Sequence, residues 1–372
     1  MSVLTYLRRD LEQIFFKHRD PHAIPSMDGA FSPNDRLERT TPIGEPLPGA
    51  DAVAEAPDGS IFVSAGNKVW QLSGARYENR SMFHEFDCEV GALAFHPDGR
   101  LLACTARGLA AVDGAGRTLL LAKAEDEALN CLTAVAAAPD GTIFVSDGST
   151  RHPAADWCVD LMELNVLGRI IGCRAALDKA WVLRRGLNYP GGLAVAPDGY
   201  IWFTESFGHS LSRAPVIAPD AIGSTETVIR NIPGYPSRLT PAAEGGFWLS
   251  LFGVRTHLVE FVLKENDFRY EMMQTIPRPY WIAPVISSTR DCLEPLQLGG
   301  LRALGIEKPW APPRSYGLLA RLNADGEVVE TLHSRVGGRN HGVTDAIETA
   351  RGVVIVSKGS GRVLLQQAGP QQ

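Results

Sequence analysis

The sequence lacks the features that assign many chains to a class at sight. It has no run of 18 apolar residues, so we expect no membrane-spanning helix. It has no Gly-x-Ser-x-Gly, His-Glu-x-x-His or Walker motif, and no Gly-x-Gly-x-x-Gly after a predicted strand. The net charge of −6 provides no positive surface for nucleic acid. These absences disfavour classical serine hydrolases, zinc proteases and nucleotide-dependent enzymes, and they exclude a nucleic-acid partner from our expectations.

Cysteine is also scarce. The 372 residues include six cysteines, none of them in a Cys-x-x-Cys pair. With 45% hydrophobic residues the chain has enough apolar material to fold without disulfides, so we predict free thiols. The first 20 residues lack a secretory apolar segment, and we therefore expect a cytoplasmic protein.

A repeated unit organises the chain. Residues 187–216 read as an apolar strand, a Pro-Asp-Gly turn and a second apolar strand, which is a strong hairpin signal. Similar units occupy residues 51–72, 91–112, 133–147, 237–251 and 344–365. A period of roughly 40 residues is typical of propellers and solenoids. We predict an all-β, six-bladed β-propeller that forms one domain.

The rest of the chain divides around this domain. We predict a short N-terminal helix and connector over residues 1–46, a propeller over 47–367 and a tail over 368–372. The helix packs against the propeller or anchors the chain to a partner or membrane surface. We place a long insertion, residues 264–315, between blades five and six, and its aromatic content predicts an ordered lid.

Two segments resemble a known family. These are GGLAVAPDGYIWFTES (residues 191–206) and IPGYPSRLTPAAEGGFWLSLFGVR (residues 232–255). They are similar to the strictosidine synthase-like proteins, within the superfamily that also contains the gluconolactonase and regucalcin group and the paraoxonases. The resemblance extends over roughly residues 47–365. It implies a six-bladed propeller whose site lies where the innermost strands begin, at one end of a central channel.

The resemblance also implies a calcium ion at that channel mouth in the lactonase members. The equivalent positions here are Asp51, Gly91, Thr133, Gly191, Ser237 and Thr344. Calcium binds six or more oxygens, with carboxylates among them. Because only Asp51 is a carboxylate, we expect no cofactor. Calcium held weakly by Asp51, with Thr133 and Ser237, is the alternative.

Strictosidine synthase implies a different catalytic group, a single acid on the last blade. Asp345 takes that place in this sequence, and His341 precedes it by four residues. We predict that they form an acid/base pair at the channel mouth. The alternative is that Asp345 caps a turn and His341 is a solvated loop residue.

Four further residues are candidates for binding substrate. Arg238 either contacts an anionic substrate or bridges two blades. Glu205 either orients neighbouring residues or binds substrate, or it pairs with an arginine. Tyr189 and Trp281 either wall an apolar pocket or attach a loop to the propeller.

Three functions remain open at this point. In the first, a lactonase or esterase uses Asp345 or His341 as base, and Arg238 or a metal at Asp51 stabilises the oxyanion. In the second, a metal-free enzyme forms a C–N bond with help from the acid. In the third, the propeller is not catalytic, and its channel holds a small ligand or its rim holds a protein. We expect a small-molecule partner, which Arg238 suggests is anionic.

Overall fold

The computed structural model describes residues 22–287 and 315–367, together with the backbone of residues 302–303 and 306–307. The predicted N-terminal helix and the tail at 368–372 lie outside the described residues, as does most of the second half of the predicted insertion. In the described part the chain is built mainly from strands, which form six sheets that we call blades one to six in chain order.

The first three blades are four-stranded and antiparallel. Blade one consists of Ala50–Glu55, Ile61–Ala65, Lys68–Ser73 and Asn79–Glu85. Blade two consists of Val90–Phe95, Leu101–Thr105, Gly108–Val112 and Thr118–Leu121. A short hairpin, Lys123–Ala124 with Glu127–Ala128, leads to blade three. Blade three consists of Leu132–Ala137, Ile143–Asp147, Gly168–Cys173 and Ala180–Leu187.

The other three blades continue the pattern with additions. Blade four consists of Leu193–Val195, Tyr200–Glu205, Ser210–Ala218 and Glu226–Ile229, and Ala221–Ile222 folds back onto its third strand. Blade five consists of Gly234–Pro241, Phe247–Val254, Gly317–Leu322 and Val328–Ser334. Blade six consists of Val343–Thr349, Gly352–Ser357, Arg362–Gln367 and, from the start of the chain, Thr41–Pro42. The predicted six-bladed propeller is confirmed.

The Pro-Asp-Gly segments form the turns between first and second strands. Gly199 has φ +81°, a left-handed conformation that residues with a Cβ rarely adopt. Asp198 supports the same turn, because its Oδ1 accepts the Tyr200 backbone N–H at 3.2 Å. These turns lie at the end of the propeller opposite the starts of the first strands.

The first strands of neighbouring blades contact one another around a closed ring, from blade one through blade six and back. The apolar core lies between the blades. Phe144 of blade three and Phe203 of blade four pack in one such cluster, and both are fully buried. This packing holds the first strands around a central channel.

Blade six is closed by a segment that we predicted as a connector. Thr41 pairs with Leu365 and Pro42 with Leu364. Proline is tolerated there because the strand lies at the sheet edge.

This closure corrects our placement of the insertion. Leu249 pairs with Ala320, so Gly317–Leu322 is the third strand of blade five rather than the start of blade six. The insertion therefore lies within blade five, between its second and third strands. The hairpin pattern could not show this. Because residues 41–42 supply the fourth strand of blade six, the hairpin that follows the insertion belongs to blade five.

Helical segments of blades three, five and six lie at the end of the propeller where the first strands begin. They follow the ends of second strands, which reach the same end because neighbouring strands are antiparallel. The α-helices are Trp157–Met162 in blade three, and His257–Lys264 and Asn266–Thr275 in blade five. The 3₁₀ helices are Gly29–Phe31, Arg36–Arg39, Ala154–Asp156, Arg278–Tyr280 and Lys358–Ser360, and a short hairpin joins Arg302–Ala303 to Ile306–Glu307. Met162, Phe252 and Val259 share one apolar cluster that joins the helical segments of blades three and five.

None of the helices in the described ranges is long and apolar enough to cross a membrane.

Candidate functional site

A cavity of about 460 Å³ opens where the first strands begin. Each of the six positions that the sequence placed around the channel mouth lines it: Asp51, Gly91, Thr133, Gly191, Ser237 and Thr344. They lie near the starts of the first strands because each precedes its Pro-Asp-Gly-like turn by a similar number of residues. The six positions that the resemblance implied therefore lie together at one cavity.

Arg238 lies among these residues, and its side chain is almost completely buried. Its Nη1 donates to the Asp51 backbone oxygen at 2.6 Å and to Asp51 Oδ1 at 3.2 Å. Its Nη2 donates to Asp51 Oδ2 at 3.3 Å, and its Nε donates to the Thr133 backbone oxygen at 3.2 Å. The guanidinium thus joins blade five to blades one and three. Arg238 bridges blades and also lines the cavity, where it can contact a ligand.

Lys358 is a second cation at this site, which the sequence reasoning missed. Its Nζ lies 3.2 Å from Asp51 Oδ2. Burial would raise the pKa of Asp51, but Arg238 and Lys358 outweigh it and hold that pKa well below its usual range. Asp51 therefore stays ionised. The sequence contained one indication of this role. Lys358 directly follows the second strand of blade six, which ends at the same end of the channel.

Asp345 is buried on the first strand of blade six but does not line the cavity. Its Oδ2 accepts the Val53 N–H at 3.0 Å, and its Oδ1 accepts the Ala346 N–H at 2.9 Å. Burial raises the pKa of Asp345 to about 7, although the charge of Arg238 acts in the opposite direction. A carboxyl with this pKa is suited to proton transfer, but here it is held by the backbone.

No hydrogen bond joins His341 to Asp345, so the predicted pair is not formed in this structure. His341 Nε2 lies 3.0 Å from the Arg335 backbone oxygen, to which it must donate. Its Nδ1 then accepts from Ser315 Oγ at 2.8 Å. Burial lowers the pKa of His341, which favours the neutral ring. Gly342, which lies between the two residues, has φ +62°, so the chain turns there and the two side chains reach different neighbours. The sequence spacing alone did not reveal this turn.

The hydroxyl residues of the ring connect blades. Thr133 Oγ1 donates to the Pro190 backbone oxygen at 2.5 Å, and Ser237 Oγ donates to the Thr344 backbone oxygen at 3.2 Å. Thr344 Oγ1 donates to the Asp51 backbone oxygen at 2.7 Å. These contacts fix the positions of neighbouring first strands.

With Arg238 and Lys358 in contact with Asp51, this donor set does not fit calcium. Asp51 is the one carboxylate among the six ring residues, and both of its oxygens contact cationic side chains. In the described part of the chain no group of three or more His, Cys, Asp or Glu residues is placed to hold a metal. Calcium takes six to eight oxygens and depends on carboxylates for affinity.

The structure gives different outcomes for the two aromatic residues that we predicted at the site. Tyr189 lines the cavity and stacks on Phe207 with ring centroids 4.4 Å apart. Trp281 does not line the cavity; its Nε1 donates to the Ile276 backbone oxygen at 2.8 Å, and its ring packs in the insertion cluster. For Trp281 the structure therefore supports the attachment of a loop. Trp157, which was not among the predicted site residues, lines the cavity.

Glu205 is also outside the cavity lining. Its Oε2 accepts the Asn188 backbone N–H at 2.8 Å, and in the described part of the chain it pairs with no arginine. Through this contact Glu205 orients the backbone between blades three and four, which is the first of the roles predicted for it.

Known proteins resemble this chain along most of its length. The mouse adipocyte plasma membrane-associated protein is 21% identical over 275 residues, covering 69% of this chain and 66% of the relative. Strictosidine synthase-like protein 13 of Arabidopsis thaliana is 26% identical over 199 residues, covering 53% of this chain and 43% of the relative. The match thus spans less than two thirds of either of these two relatives.

Solved structures share the fold. A gluconolactonase from Xanthomonas campestris has a TM-score of 0.57 at 13% identity, covering 88% of this chain and 89% of that one. Regucalcin, a calcium-binding protein from Agrobacterium tumefaciens, has a TM-score of 0.56 at 15% identity, covering 88% and 95%. A sequence profile described as SMP-30/Gluconolactonase/LRE-like region matches residues 55–274, which is more than half of the chain. The protein therefore belongs to the SMP-30/gluconolactonase/LRE-like family, as its repeats and motifs predicted.

Proposed function

We propose that this protein is a small-molecule hydrolase of the lactonase or esterase type that acts at the channel mouth. The observation that carries the proposal is the guanidinium of Arg238, which lies among the six ring positions at a cavity of about 460 Å³. Cavities of this size accommodate small organic ligands. Family membership supports the same reaction class.

Arg238 supplies the positive charge that a developing oxyanion needs. A guanidinium has five N–H groups, and four of those of Arg238 are directed to Asp51 and Thr133. The remaining one is on Nη2, and a Cβ added at Gly91 would lie 3.6 Å from Nη2. In the proposed reaction this N–H donates to the carbonyl oxygen of the substrate. Lys358 lies beside the same carboxylate and adds a second positive charge.

Glu89 is our candidate for the base. It lines the cavity and is exposed, unlike Asp345. In the proposed reaction Glu89 accepts a proton from water as the water attacks the ester carbonyl, and the oxyanion forms next to Arg238. The C–O bond then breaks, and the leaving oxygen takes up a proton to give a hydroxy acid. The charged carboxylate of Asp51 holds Arg238 in place.

The cavity walls indicate the kind of substrate. Trp157, Phe252 and Tyr189 present apolar surface, whereas Asp51, Arg238 and Lys358 form the polar end. This division suits an ester or lactone with an apolar body. Its carboxylate product is anionic and would interact with the two cations.

The test is hydrolysis of a panel of lactones and aryl esters by the full chain. We expect turnover that does not change on addition of EDTA, and a loss of about 100-fold in kcat for Glu89→Gln, the range of a general base. Arg238→Lys is the matched variant that keeps the positive charge but not the planar guanidinium with its several N–H donors, and we expect it to retain part of the activity. Absence of turnover across the panel, or equal rates for wild type and Glu89→Gln, would contradict the proposal.

A second candidate function, binding without catalysis, is favoured by one observation. The carboxylate of Asp51 is fully paired and that of Asp345 is held by two backbone N–H groups. A ligand that raises the melting temperature of the protein but is never converted would support this candidate. The C–N bond-forming alternative depends on Asp345, whose position outside the cavity lining favours it least.

A further inference from the structure

We infer that the guanidinium of Arg238 is a built-in cation that occupies an oxygen cage of the kind that otherwise holds a divalent metal. The cage consists of the Asp51 backbone oxygen, both Asp51 carboxylate oxygens and the Thr133 backbone oxygen, which lie 2.6 to 3.3 Å from the guanidinium nitrogens. The inference concerns the ion content of the site and does not rest on the proposed hydrolysis.

The cage has the chemistry of a hard-cation site. Carboxylate and backbone carbonyl oxygens are the usual ligands of calcium, and they come here from two different blades. Arg238 reaches them from a third blade. The cage is therefore built from separate parts of the ring that converge on one positive group.

The charges around the cage keep that group protonated. Burial lowers the pKa of Arg238, but the charges of Asp51 and Asp345 outweigh it and raise the pKa. Two buried carboxyl groups thus favour a cation at this position. A buried carboxylate needs such a partner, because an unpaired charge in the interior is costly.

A tethered cation also excludes a free one. Calcium could enter the cage only if the guanidinium left it, and the departing group would then need another partner inside the protein. Arg238 is attached to the first strand of blade five, so it is always present at a high local concentration. Wild-type protein should therefore hold no calcium in this cage, and loss of the guanidinium should open it.

The experiment compares calcium binding by wild type and Arg238→Gln, which removes the charge and leaves an oxygen-bearing side chain. We expect Arg238→Gln to bind one calcium per chain in calorimetry, with a Kd in the roughly millimolar range of weak calcium sites. We expect calcium at about ten times that Kd to raise its melting temperature by about 2 °C. Wild type should show neither effect, and EDTA should not change its melting temperature.

Two variants serve as controls. Lys358→Gln removes a positive charge beside the same carboxylate but leaves the cage occupied, so it should not respond to calcium. Asp51→Asn combined with Arg238→Gln opens the cage but removes its carboxylate, so it should not respond either. Calcium-dependent folding of an otherwise unstable Arg238→Gln protein would also support the inference.

Three outcomes would overturn it. The first is stoichiometric calcium bound by wild type and lost in Asp51→Asn. The second is an Arg238→Gln protein that folds and shows no more calcium response than Lys358→Gln. The third is an Arg238→Gln protein that fails to fold both with and without calcium, since a metal would then be unable to replace the guanidinium. None of these three outcomes is measured by turnover, so the proposed hydrolase activity is tested separately.

Discussion

Asp51 and Asp345 are buried carboxyl groups on the first strands of neighbouring blades, and both interact with the charge of Arg238, yet their pKa values shift in opposite directions. Asp51 contacts Arg238 and Lys358 directly, and its pKa falls. Asp345 accepts only two backbone N–H groups, and its pKa rises to about 7. Burial is common to both, so direct contact with a cation decides which group stays charged.

The largest expected effect comes from breaking the Asp51 contact. Asp51→Asn leaves the buried guanidinium of Arg238 without its carboxylate, and removing one partner of a buried ion pair costs about 3–5 kcal/mol. Urea unfolding monitored by tryptophan fluorescence measures the loss. A cost below about 1 kcal/mol, typical of an exposed pair, would show that the two carboxyl groups differ less than the structure indicates.

The Asp345 side of the comparison predicts a pH dependence. Because its pKa is raised from 3.8 to about 7 in the folded protein, the stability it contributes is present at low pH and is lost as pH rises through about 7. We expect the free energy of unfolding of wild type, relative to Asp345→Asn, to fall by at most about 4 kcal/mol between pH 4 and pH 8. Urea unfolding of both proteins at pH 4, 6 and 8 measures this difference.

The comparison with Asp345→Asn is necessary because other groups titrate in the same pH range. Burial lowers the pKa of His209 and of His333 to about 4, so each adds stability as pH rises from 4 to 6.5, opposite in sign to Asp345. Asp345→Asn leaves both histidines in place. A difference between the two proteins that is constant with pH would mean that Asp345 is ionised throughout.

A smaller effect should follow from covering the remaining N–H of Arg238. Gly91→Val places branches beyond a Cβ that would lie 3.6 Å from Nη2, so we expect substrate or ligand binding to weaken about tenfold, with little change in stability. Gly91→Ala is the matched control, since its Cβ makes only an ordinary contact. Equal binding by both variants would place the ligand elsewhere in the cavity.

The smallest expected effect concerns Lys358. Its side chain is 37% exposed, so solvent screens its interaction with Asp51. We expect Lys358→Gln to cost less than about 1 kcal/mol of unfolding free energy, and less still in 0.5 M salt. Thermal melts at two salt concentrations measure this, and a cost as large as that of Asp51→Asn would remove the distinction between the two cations.

The sequence predicted the periodic part of the molecule well. Hairpin repeats fix the local fold. The resemblance to the family implied the six ring positions, and it placed Arg238 beside one of them.

The failures were all non-local. Periodicity does not indicate which sheet a strand joins after a long insertion, so Gly317–Leu322 was assigned to the wrong blade. It also does not show where a loop side chain turns, and Trp281 was therefore chosen over Trp157. Lys358 was missed because its role arises from contact with Asp51, a residue about 300 positions away in the chain.

The pairing of Thr41 with Leu365 has a consequence for how the chain folds. On the ribosome, Thr41 emerges before any blade exists, and Leu365 emerges after nearly all of the propeller strands have been made. Contacts between residues so distant in sequence form slowly, because a large loop must close first. The closing strand must therefore remain unpaired throughout synthesis of the propeller. The last step of folding joins the earliest strand of the described chain to the latest.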